Sequence, residues 1–475
     1  MRGGPRPRGH CMERREIRIA YIGGGSRGWA HTLMHDLGSC SQMTGEVALY
    51  DIDRAMAGLN AEWGRRMNES PQARSRWRYS VAASLKSALR GADFVIASIQ
   101  PGPIELMKAD LGIPARYGIV HTVGDTTGPA GLCRALRTAP IYARFARAIG
   151  EHCPRAWVIN YTNPMAACVA TLYAAFPGIR AFGCCHEIFE TQAMLGRLVE
   201  EQCGVRPARR QVRINVLGVN HFTWIDRAAW RGTDLLALYL RRWEGRGMAR
   251  RISAREVAAM GYFEHKGQVT WDLFRRYGLL PAAGERHLVE FVPFYLKDEG
   301  TLSRWGVKVT PYSYRIRRHR GLPREFRRRL ADPAPFEVRA SGEEGTRQMT
   351  ALLGLGDLVT NVNLPNTGQV SNLPCVATGP RGGADPVVPT IVETNARFTG
   401  DGVRAVPAGA MPPGVAGLVA RAAANQVLIV RAALAGDRDL AFQAFLNDAL
   451  MTLTTDRAWR MFKEMLIATG ALNHR

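Results

Sequence analysis

The chain has 475 residues and a mass of 52.4 kDa, enough to bury a large core and too much for one ordinary domain; about 150 residues per domain gives two or three. With 46% hydrophobic and 22% charged residues its composition is globular, and no stretch of about 18 apolar residues lacks a charge, which argues against a transmembrane helix. Nine cysteines without framework spacing argue against a disulfide scaffold and for reduced thiols in the cytoplasm.

Residues 1–15 read as a basic disordered tail, since MRGGPRPRGHCMERRE lacks the apolar run of a secretory signal, and Met12 is an alternative start. Ile17–Gly25 (IRIAYIGGG), Glu46–Asp53, Ala92–Gly102, Ala156–Pro164 and Arg180–Glu187 then read as strands. Each is mostly apolar, as strands buried on both faces are, with polar residues gathered at the C-terminal end. Amphipathic stretches such as Gly131–His152 alternate with them. This predicts an α/β domain over 16–210, built of βα units on a parallel sheet. From 211 to 475 the pattern is α+β. RINVLGVNHFTWIDRAAW reads as strands, Asp234–Phe263 as helices and Leu364–Pro413 as loops and short strands, with Gly414–Gly436 and Asp439–Leu450 as closing helices.

The net charge of +22 is almost all arginine, with one dense run from Arg315 to Arg329. Such a run could attract acidic substrates or nucleic acid. No nucleic-acid motif accompanies it, so a solvated face or subunit contact is the simpler reading.

YIGGGSRG places Gly23, Gly25 and Gly28 in G-x-G-x-x-G spacing directly after the first strand, with Ser26 in the loop. Glycines there allow a tight turn and let backbone N–H groups approach a pyrophosphate at a helix N-terminus, the Rossmann-type arrangement. Asp51 ends the next strand, close to the roughly 20-residue offset at which a carboxylate accepts from a ribose 2′-hydroxyl. That favours NAD over NADP, although Arg54 keeps NADP open and Asp53 is a second candidate carboxylate.

Four polar clusters fall at strand ends on one side of the sheet: GDTTGPAG (Gly124–Gly131), NYTNP (Asn160–Pro164), CHE (Cys185–Glu187) and GVNHF (Gly218–Phe222). Cys185 beside His186 and Glu187 leaves three readings: a metal site, a thiol nucleophile with its base, or unrelated side chains. Cys184 would point to the opposite face of the strand. The convergence of the four clusters favours a cleft that binds or reacts.

The glycine loop, YGIVHTVGDTTGPAGLCRALRT, NYTNPM, CCHE, GVNHF and NLPNTGQVSNLP together resemble glycoside hydrolase family 4, from Ile17 to the C-terminus. CHEI is similar to the signature of its α-galacturonidases. The resemblance implies an NAD-binding domain like that of lactate and malate dehydrogenases and a second domain for substrate, metal and oligomer contacts. It further implies a homodimer or homotetramer acting on a small uronide or glycoside, with no nucleic-acid or membrane partner. Cys185 and His221 would hold Mn²⁺ or another divalent metal, where chemistry alone suggests zinc. Asn163 would bind sugar hydroxyls.

The chemistry it implies is hydride removal from sugar C3, loss of the acidified C2 proton, C1–O elimination, water addition and hydride return, an exception to the two-carboxylate route. Tyr277 and Glu285 are the candidate bases. Arg286 is a candidate clamp for a uronate, since a guanidinium fork binds carboxylates bidentately. Glu187 would bind a hydroxyl, or act with His186 as the leaving-group acid, and Asp125 would position a metal-bound water. His121 stands where glutamine is expected and Ala130 where glycine is expected. The same machinery on α-glucuronides or neutral α-glycosides, a hydroxy-acid dehydrogenase, and an arginine-rich nucleic-acid binder are the alternatives.

Overall fold

The computed structural model describes residues 14–244, 252–377 and 387–472. The expected basic tail lies outside the described residues as far as residue 13.

Six strands form the parallel core of one sheet: β1 (Arg15–Ile22), β2 (Met43–Tyr50), β3 (Trp77–Val81), β4 (Phe94–Ala97), β5 (Trp157–Asn160) and β6 (Arg180–Gly183). Their spatial order is β3-β2-β1-β4-β5-β6, the doubly wound Rossmann-type order. All four residues of β4 are buried, as helices on both faces require. The strand order reverses between β1 and β4, which opens a crevice at their C-terminal ends. β3 was not among the expected strands.

The sheet does not stop at the first half of the chain. Leu358–Pro365, Ile391–Thr399 and Gly402–Ala405 continue it antiparallel beyond β6. The expectation of only loops and short strands over Leu364–Pro413 is therefore corrected: Ile391–Thr399 is a nine-residue strand, its first four residues buried. A second sheet pairs β7 (Arg213–Val219) with β8 (Phe222–Trp230), and Leu280–Pro281 adds to β8.

The helix Gly128–His152 runs beneath the crevice, and its first twelve residues are buried. Its N-terminal end is held by a remote carboxylate: Asp448 accepts from the Gly128 N–H and the Thr127 hydroxyl, both at 3.0 Å. A negative group there suits the positive end of the helix dipole. Against it packs Pro413–Ala435, the one helix among the described residues long and apolar enough to cross a membrane by length and composition, and it carries the charges of Arg421 and Arg431, as expected from the sequence. Of its most apolar window, 56% is buried inside the protein, so its apolar face already has a partner. The basic run forms the helix Tyr312–Ala331, on which Arg317, Arg318, Arg324, Arg327 and Arg328 are exposed while three others make contacts within the protein. Arg315 donates to the carbonyls of Thr122 and Val123, Arg320 pairs with Glu105, and Arg329 lies 4.4 Å over the Phe336 ring.

Candidate active site

The cofactor end of the crevice is local in sequence. Gly23 has φ 93°, and a Cβ there would sit 2.0 Å from the Ser98 carbonyl oxygen, so no larger residue fits. Asp51 braces the loop, accepting from the N–H groups of Gly25 and Asp53, both at 2.8 Å. Asn60 donates to the carbonyls of Gly24 and Ser26 and accepts from His31. Gly28 then opens the helix α1 (Trp29–Ser39), which has no side-chain cap. A Cβ at Gly28 would meet no atom within 4 Å. An uncapped helix start reached through glycines suits a dinucleotide pyrophosphate, so these residues fit NAD. Asp53 caps the next helix through Met56 N–H and lies 3.6 Å from Arg27.

The other end is assembled from distant segments. Asp125, His221 and His287 bring potential ligand atoms within 4.8 Å of one another. His221 occupies the turn between β7 and β8 with φ 63°, a left-handed backbone that costs a non-glycine residue roughly 1–2 kcal/mol. Its ring lies against that of His287 at 3.8 Å between centroids, tilted by 30°, and its Nδ1 bonds the Thr126 hydroxyl at 2.8 Å. The same hydroxyl donates to Asp125 Oδ1 at 2.9 Å. Asn163 donates to Asp125 Oδ2 at 3.2 Å, while its Oδ1 is buried without a partner. Glu187 accepts from the Gly284 N–H at 2.7 Å and faces His287 Nε2 at 3.8 Å.

Electrostatics here are dominated by burial. Burial, then the neighbouring His287, pushes His221 down to about 3, so its imidazole is neutral and able to ligate. Burial alone would raise Asp125, but His287, His221 and Arg134 hold it well below the usual carboxylate range. Burial, then Glu393 and Glu187, raises the Cys185 thiol, so thiolate formation there needs a cation. One carboxylate, two imidazoles and a nearby thiol are a donor set for a divalent metal. Cys185 itself lies outside the compact group of three; its carbonyl accepts from Asn361 at 3.3 Å and its sulfur interacts with Asn220.

The two expected bases are not brought to this cluster. Glu285 is 1% exposed and accepts from Gly267 and Thr270 N–H at 3.1 and 2.9 Å, capping the helix Gln268–Tyr277. Tyr277, at the far end of that helix, packs its ring against Trp224 at 5.8 Å. Arg286 does face the cluster: it feels Glu187 and Asp125, donates to Thr310 at 3.0 Å and lies 4.7 Å over Phe263. His186 turns toward the cofactor end, with Nδ1 3.5 Å from Glu343 and its ring 5.5 Å from Trp29.

Two residues were missed. His287 is central to the cluster, and Glu290, on the same short helix, accepts from Val123 and Gly124 N–H at 2.7 and 2.9 Å, holding the loop that carries Asp125. The signal for His287 was a histidine among the apolar residues of a short helix. His121 and Ala130 touch each other: the Ala130 N–H donates to His121 Nε2 at 3.3 Å. Burial lowers His121 to about 3, which keeps that nitrogen free to accept.

Comparison with known proteins gives this geometry a family. The family 4 glycosyl hydrolase signature matches residues 18–201 and its C-terminal domain matches 216–451. An α-galacturonidase of Thermoanaerobacter italicus is 45% identical over 455 residues, covering 94% of this chain and 95% of that one. One from Bacillus subtilis is 45% identical over 459 residues, covering 96% and 98%. The crystal structure of a Bacillus subtilis protein described as a glucosidase superposes with TM-score 0.87 at 45% identity, covering 95% of this chain and 100% of that one. A Thermotoga maritima 6-phospho-β-glucosidase, crystallised with manganese, NAD⁺ and glucose-6-phosphate, shares the fold at TM-score 0.73 and 18% identity, over 96% and 98% of the two chains. With both halves matched and such relatives spanning nearly its full length, the chain belongs to the family 4 glycosyl hydrolases.

Proposed function

We propose that this glycosidase is an α-galacturonidase that works with bound NAD and a divalent metal, Mn²⁺ by preference. The observation that carries the reading is the meeting of partly exposed Asp125 with buried His221 and His287 beside Glu187 and Arg286. Relatives named α-galacturonidase at 45% identity support the choice of sugar.

When bound, NAD would supply a reversible hydride acceptor and the metal a Lewis acid for a neighbouring oxyanion. His221 and Cys185 would hold the metal, with Asp125 and His287 completing its surroundings. Gly23, Gly25, Ser26 and Gly28 would receive the pyrophosphate, and Asp51 the ribose. Asn163 Oδ1 would accept from a sugar hydroxyl, for which its unpartnered, buried state suits it. Arg286 would bind the uronate carboxylate, offsetting the repulsion between that group and Glu187. The net reaction would be hydrolysis without net redox change: hydride lost from C3 is returned there, the C2 proton is lost and regained, and water replaces the leaving group at C1. Glu187 Oε1 and His287 Nε2, 3.8 Å apart, would be the pair to pass that proton.

The test uses aryl α-galacturonide, α-glucuronide and α-glucoside with NAD⁺, Mn²⁺ and a thiol reductant, each additive withheld in turn from protein stripped of cofactor. Release from the galacturonide alone, lost without NAD⁺ or Mn²⁺, is expected, with solvent deuterium entering C2 in D₂O. Undiminished hydrolysis without NAD⁺ eliminates the redox route. Preference for the glucuronide or glucoside eliminates the sugar assignment.

A further inference from the structure

Behind Cys185 and His221 lies a carboxylate that the proposed reaction does not use. Glu393, on the strand Ile391–Thr399, is 1% exposed, and no cation pairs with it among the described residues. Buried carboxylates are costly unless their oxygens are satisfied. Glu393 meets that requirement with amides alone. Its Oε1 accepts from Asn361 Nδ2 at 2.9 Å and its Oε2 from Asn220 Nδ2 at 3.2 Å. Asn363 is a third amide partner and stands directly opposite Glu393 in the strand register.

Each amide leads to a different side of the cleft. Asn361 Nδ2 also donates to the Cys185 carbonyl at 3.3 Å. Asn363 is in register with Gly183, at the end of β6, two residues before Cys185. Asn220 immediately precedes His221 and interacts with the Cys185 sulfur. Cys185 follows the end of a strand and His221 sits in a strained turn, so neither is held by regular structure. A left-handed histidine persists only where its surroundings over-determine it.

We infer that Glu393 is a positioning residue: its two oxygens hold the asparagines tied to Cys185 and to His221, and so fix the separation of these two residues. The inference rests on the reading of Cys185 and His221 as a metal-binding pair. A glutamate suits the position because both its oxygens accept. A glutamine would turn an N–H₂ toward one of the asparagine donors and release that arm.

The experiment measures Mn²⁺ affinity by titration calorimetry or electron paramagnetic resonance at saturating NAD⁺. NAD⁺ affinity and the melting temperature are followed in parallel. Glu393→Gln is expected to weaken Mn²⁺ binding about 10- to 100-fold, the usual scale for losing a residue that orients a ligand, with NAD⁺ affinity within about twofold of wild type. Asn361→Ala, which cuts one arm and leaves the carboxylate, keeps the test open if Glu393→Gln does not fold, and is expected to lose about 10-fold. Unchanged Mn²⁺ affinity in the folded variant overturns the inference. So does a loss that NAD⁺ affinity follows in step, which would mark general unfolding. Mn²⁺ affinity that survives Cys185→Ser and His221→Ala overturns the metal reading itself, a result separate from either.

Discussion

The two ends of the crevice are built on opposite plans. At the cofactor end the glycine loop is braced by Asp51 and Asn60, residues close to it in sequence, and its contacts are mostly to backbone. At the other end Asp125, Asn163, Glu187, His221 and His287 arrive from two loops, a turn and two helices and meet through side chains. A local loop tolerates change elsewhere in the chain. An assembled cluster depends on every segment that delivers a member.

The largest effect should therefore come from the assembled end. His221→Ala is expected to reduce kcat/KM on the order of 10³-fold while NAD⁺ affinity stays near wild type, measured by fluorescence titration. Equal loss of NAD⁺ binding would mean that the two ends are one unit. Next, His287→Ala should cost about 10²-fold in kcat with little change in melting temperature. Its neighbour Glu285→Ala should instead lower stability by about 1–2 kcal/mol through the lost helix cap and leave the kcat of folded protein nearly intact, as denaturant titration and steady-state kinetics would show. A kcat loss in Glu285→Ala beyond that of His287→Ala would restore the carboxylate as the base.

Within the cofactor end, Gly28→Ala should fold normally and bind NAD⁺ about 10-fold more weakly, about 1.4 kcal/mol, because its methyl enters space next to the helix start. Gly23→Ala should fail to accumulate as folded protein, since its Cβ would strike the Ser98 carbonyl at 2.0 Å.

The two ends also differ in the sign of their pH dependence. His31 is stacked on Trp63 at 4.0 Å and lowered by burial to about 4. A depressed folded value means that its contribution is present above about 6.5 and is lost as pH falls through 4, at most about 3 kcal/mol. Glu290 is raised by burial to about 7, so its contribution to the metal-free protein is full below its ordinary value of 4.5 and is lost as pH rises through 7. Denaturation of His31→Phe and Glu290→Gln across pH 4–8 should flatten the acid and the neutral limb respectively. Matching profiles would erase the distinction between the ends.

This contrast also sets what could be read without coordinates. The glycine spacing, Asp51 and the polar strand ends are local patterns, and the crevice forms where they indicate. The acid–base assignment depended on helix phase. In Glu285–Phe291, residues two apart are about 200° apart around the axis. The helix that turns His287 and Glu290 to the cleft thus sends Glu285 to the opposite side, where it caps a neighbour. Nothing in the composition of GERHLVEF distinguishes one carboxylate from the other. Glu393 was equally hidden, since its role arises from sheet register between strands more than 170 residues from Cys185 (358 − 185 = 173).

The continuation of the parallel sheet by strands from the second half bears on how the protein can be engineered. If the chain were cut near residue 210, β6 would become a bare sheet edge beside Phe182, whose fully buried ring now meets Phe398 edge-on at 5.1 Å. Exposed edges of this kind recruit other strands. A dinucleotide-binding module for grafting would therefore have to carry Leu358–Ala405 with it, or a designed cover in its place.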